Sequence, residues 1–232
     1  MSNIETLSAG ANYTIYLKNE SNNDQNFWCF LEKPDGISDY GAFANSSANL
    51  FVMSGYGGTN KFNIPVQFVI GAGASNNAVG LGVRIDSSVV KAVDLQQIWE
   101  AQYASTPPKQ GPRLSLIQGQ RSPNNTIGLL SNAFDKMNNE NGGWFSNMSF
   151  GIETENGFIG VTWSPSPNNQ NTITPKFAFY ISTGSYSSSQ LADFGTISNQ
   201  AARIELSDFR NSEVTVTFTS RGQWIVQGGR VQ

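Results

Sequence analysis

The chain has 232 residues, a formal net charge of −3, 13% charged residues and 12% aromatics. The 14 basic residues form no run, which argues against a nucleic-acid groove; the aromatic content argues against disorder; and the lack of an apolar stretch of about 18 residues predicts no transmembrane segment. With no histidine and one cysteine, Ser-His-Asp and Cys-His catalysis, the usual zinc sites and an intramolecular disulfide are excluded.

In chain order, Asn12 to Lys18 places Tyr13, Ile15 and Leu17 on one face, a half-buried strand. Phe27 to Leu31 (FWCFL) is continuously apolar and reads as a strand buried on both faces, with Cys29 as a small core residue rather than a reactive thiol. Pro34-Asp35-Gly36 ends it. Two short apolar runs lie within Ala42 to Met53, followed by the glycine-rich loop SGYGGTN. Phe62 to Ile70 is expected as a strand, with Pro65 suggesting an edge or a bulge. Ala78 to Ile85 is expected to return beside it as a hairpin with a long loop.

Ser88 to Tyr103 fits either one short helix or two short strands, closed by Pro107-Pro108. Arg113 to Ile117 is a strand, Thr126 to Phe134 a short apolar segment, and Lys136 to Gly143 a loop. Phe145 to Trp163 reads as two strands meeting at Glu155-Asn156-Gly157, where Asn-Gly is a strong hairpin signal. A Ser/Pro/Asn loop follows, and Thr172 to Thr183 is expected as one aromatic-rich strand. Ser198 to Leu206, Glu213 to Phe218 and Gln223 to Gln227 are further strands, the last two paired across Ser220-Arg221-Gly222. The pattern predicts one domain over residues 1–232: an all-β, two-sheet antiparallel β-sandwich, jelly-roll-like, with at most one short helix.

Chemistry-bearing groupings are few. Glu153 and Glu155 share a strand face, and Trp144, Phe158, Trp163 and Tyr180 could stack beside them as in jelly-roll glycoside hydrolases. The adjacent Asn-Gly turn explains both acids as solvated, so no catalytic residue is assigned. Aromatic residues beside amide-rich loops suit a sugar, with ordinary turn chemistry as the alternative: Tyr56 in SGYGGTN, Trp163 with Asn168 and Asn169 in the following loop, and Tyr186 in STGSYSSS. No metal site has the required spacing, and no cofactor is implied. Asn-x-Ser/Thr triplets at Asn12, Asn19, Asn45, Asn124 and Asn147 are expected to stay unmodified in a chain without a leader. Residues 62 to 85 also have the small, alternating look of a barrel-forming hairpin.

Three blocks, LKNESNNDQNFWCFLEKP, FVIGAGASNNAVGLGVRID and GIETENGFIGVTWSPSPNNQNTITPKFAFYISTGSY, together resemble a family of small bacterial and fungal proteins that includes the rhizosphere-induced protein of rhizobia. The chain has Phe179-Tyr180 where that family has Tyr-Trp, Ser182-Thr183-Gly184 where it has Phe-Gly, and a longer segment from Val89 to Asn141. The resemblance implies a β-rich, leaderless protein and supplies no catalytic residue.

The first functional expectation is a non-enzymatic protein acting through its surface, by self-association as a homo-oligomer or ordered assembly, or by binding glycan or protein. Low charge opposes self-contact only weakly. A toxin-like protein, pore-forming or insecticidal, and a jelly-roll glycoside hydrolase are the alternatives. Location is expected to be cytoplasmic, or outside the cell by release without a signal peptide.

Overall fold

The computed structural model describes residues 10–38, 40–85, 87–105 and 110–231. The N-terminal residues read for a leader and the Pro107-Pro108 stop lie outside, wholly or in part, the described residues. Strand accounts for 48% and helix for 7%, so the chain is all-β as its turn-rich sequence implies. In order come β1 (Asn12–Asn19), β2 (Gln25–Leu31), β3 (Ala42–Ser46), β4 (Asn49–Val52), β5 (Asn60–Pro65) and β6 (Phe68–Ser75). They are followed by β7 (Val89–Val93), β8 (Ile98–Gln102), β9 (Arg113–Leu116), β10 (Ile127–Ser131), helix α1 (Lys136–Asn141), β11 (Phe145–Thr154) and β12 (Gly157–Trp163). The chain closes with β13 (Gln170–Ile173), β14 (Phe179–Thr183), β15 (Gln190–Ala192), helix α2 (Phe194–Gln200), β16 (Ala202–Ile204), β17 (Glu213–Phe218) and β18 (Trp224–Gly228).

Hydrogen bonding groups the strands into four sheets, ordered β15-β3-β12-β11-β6-β7, β18-β17-β1-β5, β16-β14-β2-β4 and β13-β10-β8-β9. Pairing is antiparallel except for β1 with β17 and β8 with β10, which are parallel. Buried side chains from all four sheets, among them Ile15, Phe62, Phe150, Phe179 and Ile127, join one hydrophobic cluster. The arrangement is sandwich-like. It has more sheets than the sequence suggests because two expected strands break and each half joins a different sheet.

The first break is at Pro65. Proline has no N–H for the ladder, so β5 stops there against β1. The chain crosses over Val66-Gln67, and β6 then pairs with β11 and β7. The second is at Thr174-Pro175-Lys176. It separates β13, paired with β10, from β14, paired with β2.

Ala78 to Ile85 does not form the expected return strand; β7 takes the place beside β6. Instead residues 76–85, with Ser87 and Ser88, strap the sheet. They reach β15 at its opposite edge, where Gly82 N donates to Leu191 O (2.8 Å) and Leu191 N donates to Val83 O (3.0 Å). Gly82, at φ +72, needs the left-handed freedom of glycine to make that turn. The 88–103 segment is two strands, not a helix, divided by the Asp94–Gln97 turn.

The helices lie elsewhere. Asp193 Oδ2 accepts from Thr196 N (2.8 Å) and starts α2 where a strand from Ser198 is expected. Asp135 Oδ1 accepts from Asn138 N (3.0 Å) and starts α1 in the expected loop. A side-chain cap supplies the donor partner that a short helix otherwise lacks, which propensity alone does not reveal.

The FWCFL run is buried on both faces. Phe27, Cys29 and Leu31 enter the main cluster, while Trp28 and Phe30 pack with Ala44, Ala192 and Ile197 of α2 in a second one.

Candidate functional site

The loop residues singled out by sequence lie in separate places. Tyr56 is exposed and its ring lies against Gly58. Trp163 is buried on the inner face of β12, in phase with Val161 and Ile159, so strand parity removes it from the surface. Asn168 and Asn169 hold their loop to the end of β10: Asn168 N donates to Asn132 O (3.0 Å) and Asn169 N to Ser131 Oγ (3.1 Å). Tyr186 packs edge-on against Trp28 and Phe30, with ring centroids 5.7 and 5.1 Å away. These residues do not converge.

A groove does form on the outer face of the six-stranded sheet. In β11, Met148, Phe150 and Ile152 point to the core, so Asn147, Ser149, Gly151 and Glu153 share the outer face. Across the ladder, Gly160 lies opposite Gly151 and Thr162 opposite Ser149. Gly71 of β6 also faces Ser149. The glycines leave the sheet bare along this line. The ring of Phe158 covers the Gly151–Gly160 step, where a Cβ on either glycine would overlap the facing backbone and press on the ring.

The groove measures about 210 Å³ and is bordered by Phe158, Asn45, Ser149, Thr162 and Glu153, with Ser47, Ile85, Ser87 and Val90 alongside. Ile85 and Ser87 belong to the strap, which is pinned over β11 by Ser87 Oγ and Ser149 Oγ at 2.9 Å. Thr162 Oγ1 donates to Asn45 Oδ1 (3.0 Å), which fixes that amide and leaves its N–H₂ group as a donor. The site therefore has one aromatic ring, neutral hydroxyl and amide groups, and one carboxylate.

Glu153 also borders a second depression of about 390 Å³, with Asn12, Asn63, Pro65, Thr154 and Glu155. Glu155 Oε1 accepts from Asn63 Nδ2 (2.6 Å) on β5. Both carboxylates are exposed, whereas a general acid of a glycosidase needs a desolvated setting.

A third depression, about 630 Å³, lies between the Asp94–Gln97 turn and residues 116–121. Two of its amides bond within the fold: Gln97 Oε1 accepts from Trp99 Nε1 (2.9 Å), and Gln96 donates to Asn124. No ring borders it.

Among the described residues, no group of three or more Cys, Asp or Glu side chains could hold a metal, and no helix is long and apolar enough to cross a membrane.

The sequence pattern singles out Glu153 and Phe158 only within a hydrolase grouping that the Asn-Gly turn explains away, and it does not single out Ser149, Thr162 or Ser87, nor Asn45 as a groove residue. The alternation of β11 would have supplied Ser149. The strap and β3 depend on contacts distant in sequence.

A family model described as RhiA matches residues 10–229. No curated protein and no solved structure matches the chain. The match spans most of the chain and agrees with the three blocks that resemble the rhizosphere-induced protein; the chain belongs to the RhiA family.

Proposed function

We propose that this RhiA-family protein is a non-enzymatic binding protein that holds a carbohydrate in the groove over Phe158. The carrying observation is the ring of Phe158, seated on two glycines and surrounded by Asn45, Ser149, Thr162 and Glu153. Sugar C–H groups stack on an aromatic face, while sugar hydroxyls need neutral donors and acceptors at the rim. A groove of this size accommodates one sugar ring with the rest of a chain lying outside it. The deciding experiment is calorimetric titration with neutral oligosaccharides, wild type against Phe158→Ala.

A second observation favours self-association. Phe51 (60% exposed), Met53 (48%) and Tyr56 (50%) stand close together in sequence on the edge strand β4 and the turn after it. Exposed apolar side chains beside an open strand edge suit a second copy of the chain. Light scattering on the wild type and on a Phe51→Ser/Met53→Ser double variant tests it.

A further inference from the structure

A pocket of opposite charge lies on the outer face of β1. In this strand Ile15 and Leu17 enter the core, so Tyr16 and Lys18 share the outer face. Tyr16, Lys18, Gly57, Gly58, Thr59 and Arg230 border a cavity of about 210 Å³. The groove over Phe158 is bordered by Glu153, and the depression beside it by Glu153 and Glu155. Here two cations border the space, and among the described residues no carboxylate does. Lys61, opposite Tyr16 on β5, adds a positive charge to the same sheet face. The nearby acid is Glu213, whose Oε1 accepts from Tyr16 Oη (2.8 Å).

Arg230 is exposed, yet it is held in place. The residues on either side of it are tied to one buried side chain: Thr215 Oγ1 donates to Gly229 O (2.8 Å) and accepts from Val231 N (3.0 Å). The guanidinium carbon lies 5.2 Å from the centre of the Tyr16 ring, and Nη2 donates to Thr59 Oγ1 (3.0 Å). A guanidinium carries five N–H donors, so these contacts use only part of the fork. It pairs with no carboxylate among the described residues. The backbone N–H groups of Gly57, Gly58 and Thr59 also find no backbone acceptor among the described residues.

We infer that this pocket is an oxyanion site, in which Arg230 pairs two-pronged with the phosphate, sulfate or carboxylate of a small acidic ligand. It is a site separate from the proposed carbohydrate groove and shares no bordering residue with it. A planar guanidinium fork matches two oxygens of such a group. The Tyr16 ring, the Thr59 hydroxyl and the Thr215 anchor fix that fork before a ligand arrives, which lowers the entropy lost on binding. Lys18 contributes a second positive charge at the border, and glycine at 57 and 58 lets a ligand approach the backbone closely.

The test is amide-resolved NMR titration of the full chain at low ionic strength with inorganic phosphate, sulfate and galacturonate, for wild type, Arg230→Ala and Arg230→Lys. Because Arg230 is exposed, both variants are expected to keep the wild-type circular dichroism. Wild type is expected to show saturable shifts at Gly57, Gly58, Thr59 and Val231 with at least one of the three anions, weakening as salt is added. Arg230→Ala is expected to bind that anion roughly ten- to a hundredfold more weakly, the worth of a charge-assisted contact. Arg230→Lys keeps the charge without the fork and is expected to recover only part of the loss. The anion bound most tightly identifies the source as a phosphorylated, sulfated or carboxylated ligand. No saturable shift at these amides with any of the three at millimolar concentration overturns the inference. So does equal affinity in Arg230→Ala, or full affinity in Arg230→Lys, since charge alone would then suffice. None of these results bears on the groove over Phe158.

Discussion

Phe158 lies over Gly160, two residues on along the same strand face: a Cβ built on Gly160 would sit 2.6 Å from Cζ of the ring. The glycine creates the seat, and the ring shields the bare backbone there and on Gly151 across the ladder. One contact thus serves both the sheet and the proposed ligand platform.

Gly160→Ala should therefore destabilise the protein and disturb the groove together. The added methyl meets the Phe150 carbonyl as well as the ring, so the backbone must move, at a cost of about 1–3 kcal/mol. Urea unfolding should show a lower midpoint with an unchanged slope. An unchanged midpoint would mean that the close approach of β11 and β12 is softer than it stands here.

Glu153 is the one carboxylate of the groove, and Glu153→Gln separates binding from hydrolysis. A binding protein keeps its ligand in the variant, with affinity weakened by roughly ten- to a hundredfold at most, the worth of one charge-assisted hydrogen bond. A glycoside hydrolase loses turnover instead. Reducing-sugar release by the wild type that disappears in Glu153→Gln would contradict the non-enzymatic reading.

Burial pushes the Cys29 thiol far above its ordinary range. The unfolded thiol loses its proton above about pH 8.5 while the folded one keeps it, so stability is fully present below that pH and falls by up to ~1.4 kcal/mol per pH unit above it. Desolvation raises the buried Tyr103 hydroxyl in the same way, adding a second decline from about pH 10. Cys29→Ala should be less stable at neutral pH through its cavity, by about 1 kcal/mol, yet show a flatter alkaline limb. Guanidinium unfolding across the alkaline range checks this; parallel limbs for variant and wild type would refute the assignment.

If the Phe51, Met53 and Tyr56 patch joins two copies, light scattering should give a mass that rises with concentration for the wild type. The Phe51→Ser/Met53→Ser variant should remain a monomer with unchanged circular dichroism. Both side chains are exposed, so each change should cost less than about 0.5 kcal/mol in stability. A wild type that stays monomeric at high concentration removes the self-association reading.

What the sequence revealed follows from what each signal depends on. FWCFL declared its burial through local pattern, whereas the alternation of Glu213–Phe218 reported a strand but not that Thr215 and Thr217 are buried as well; the Glu155-Asn156-Gly157 signal marked the β11–β12 hairpin, whose two-residue loop is Glu155-Asn156, with Thr154 opposite Gly157. Trp163 was misplaced because a tryptophan beside a polar loop reads as exposed unless strand parity is followed through from Ile159. Ala78 to Ile85 alternates like a strand, yet which strand lies beside β6 is decided by competition with Val89–Val93, and no local pattern reports that. Glu153 and Phe158 were legible as an acid and a ring. Their joining with Asn45 and Ser87 needed the sheet order β3-β12-β11-β6 and the strap across it.

The central claim is that the ring of Phe158 is the floor of a carbohydrate site, and amide-resolved NMR titration of wild type and Phe158→Ala with an oligosaccharide tests it most directly. The predicted result is saturable shifts at Asn45, Ser87, Ser149, Phe158 and Thr162, with affinity at least about tenfold weaker in Phe158→Ala. Shifts elsewhere, equal binding by the variant, or no shifts with any saccharide at millimolar concentration would contradict it.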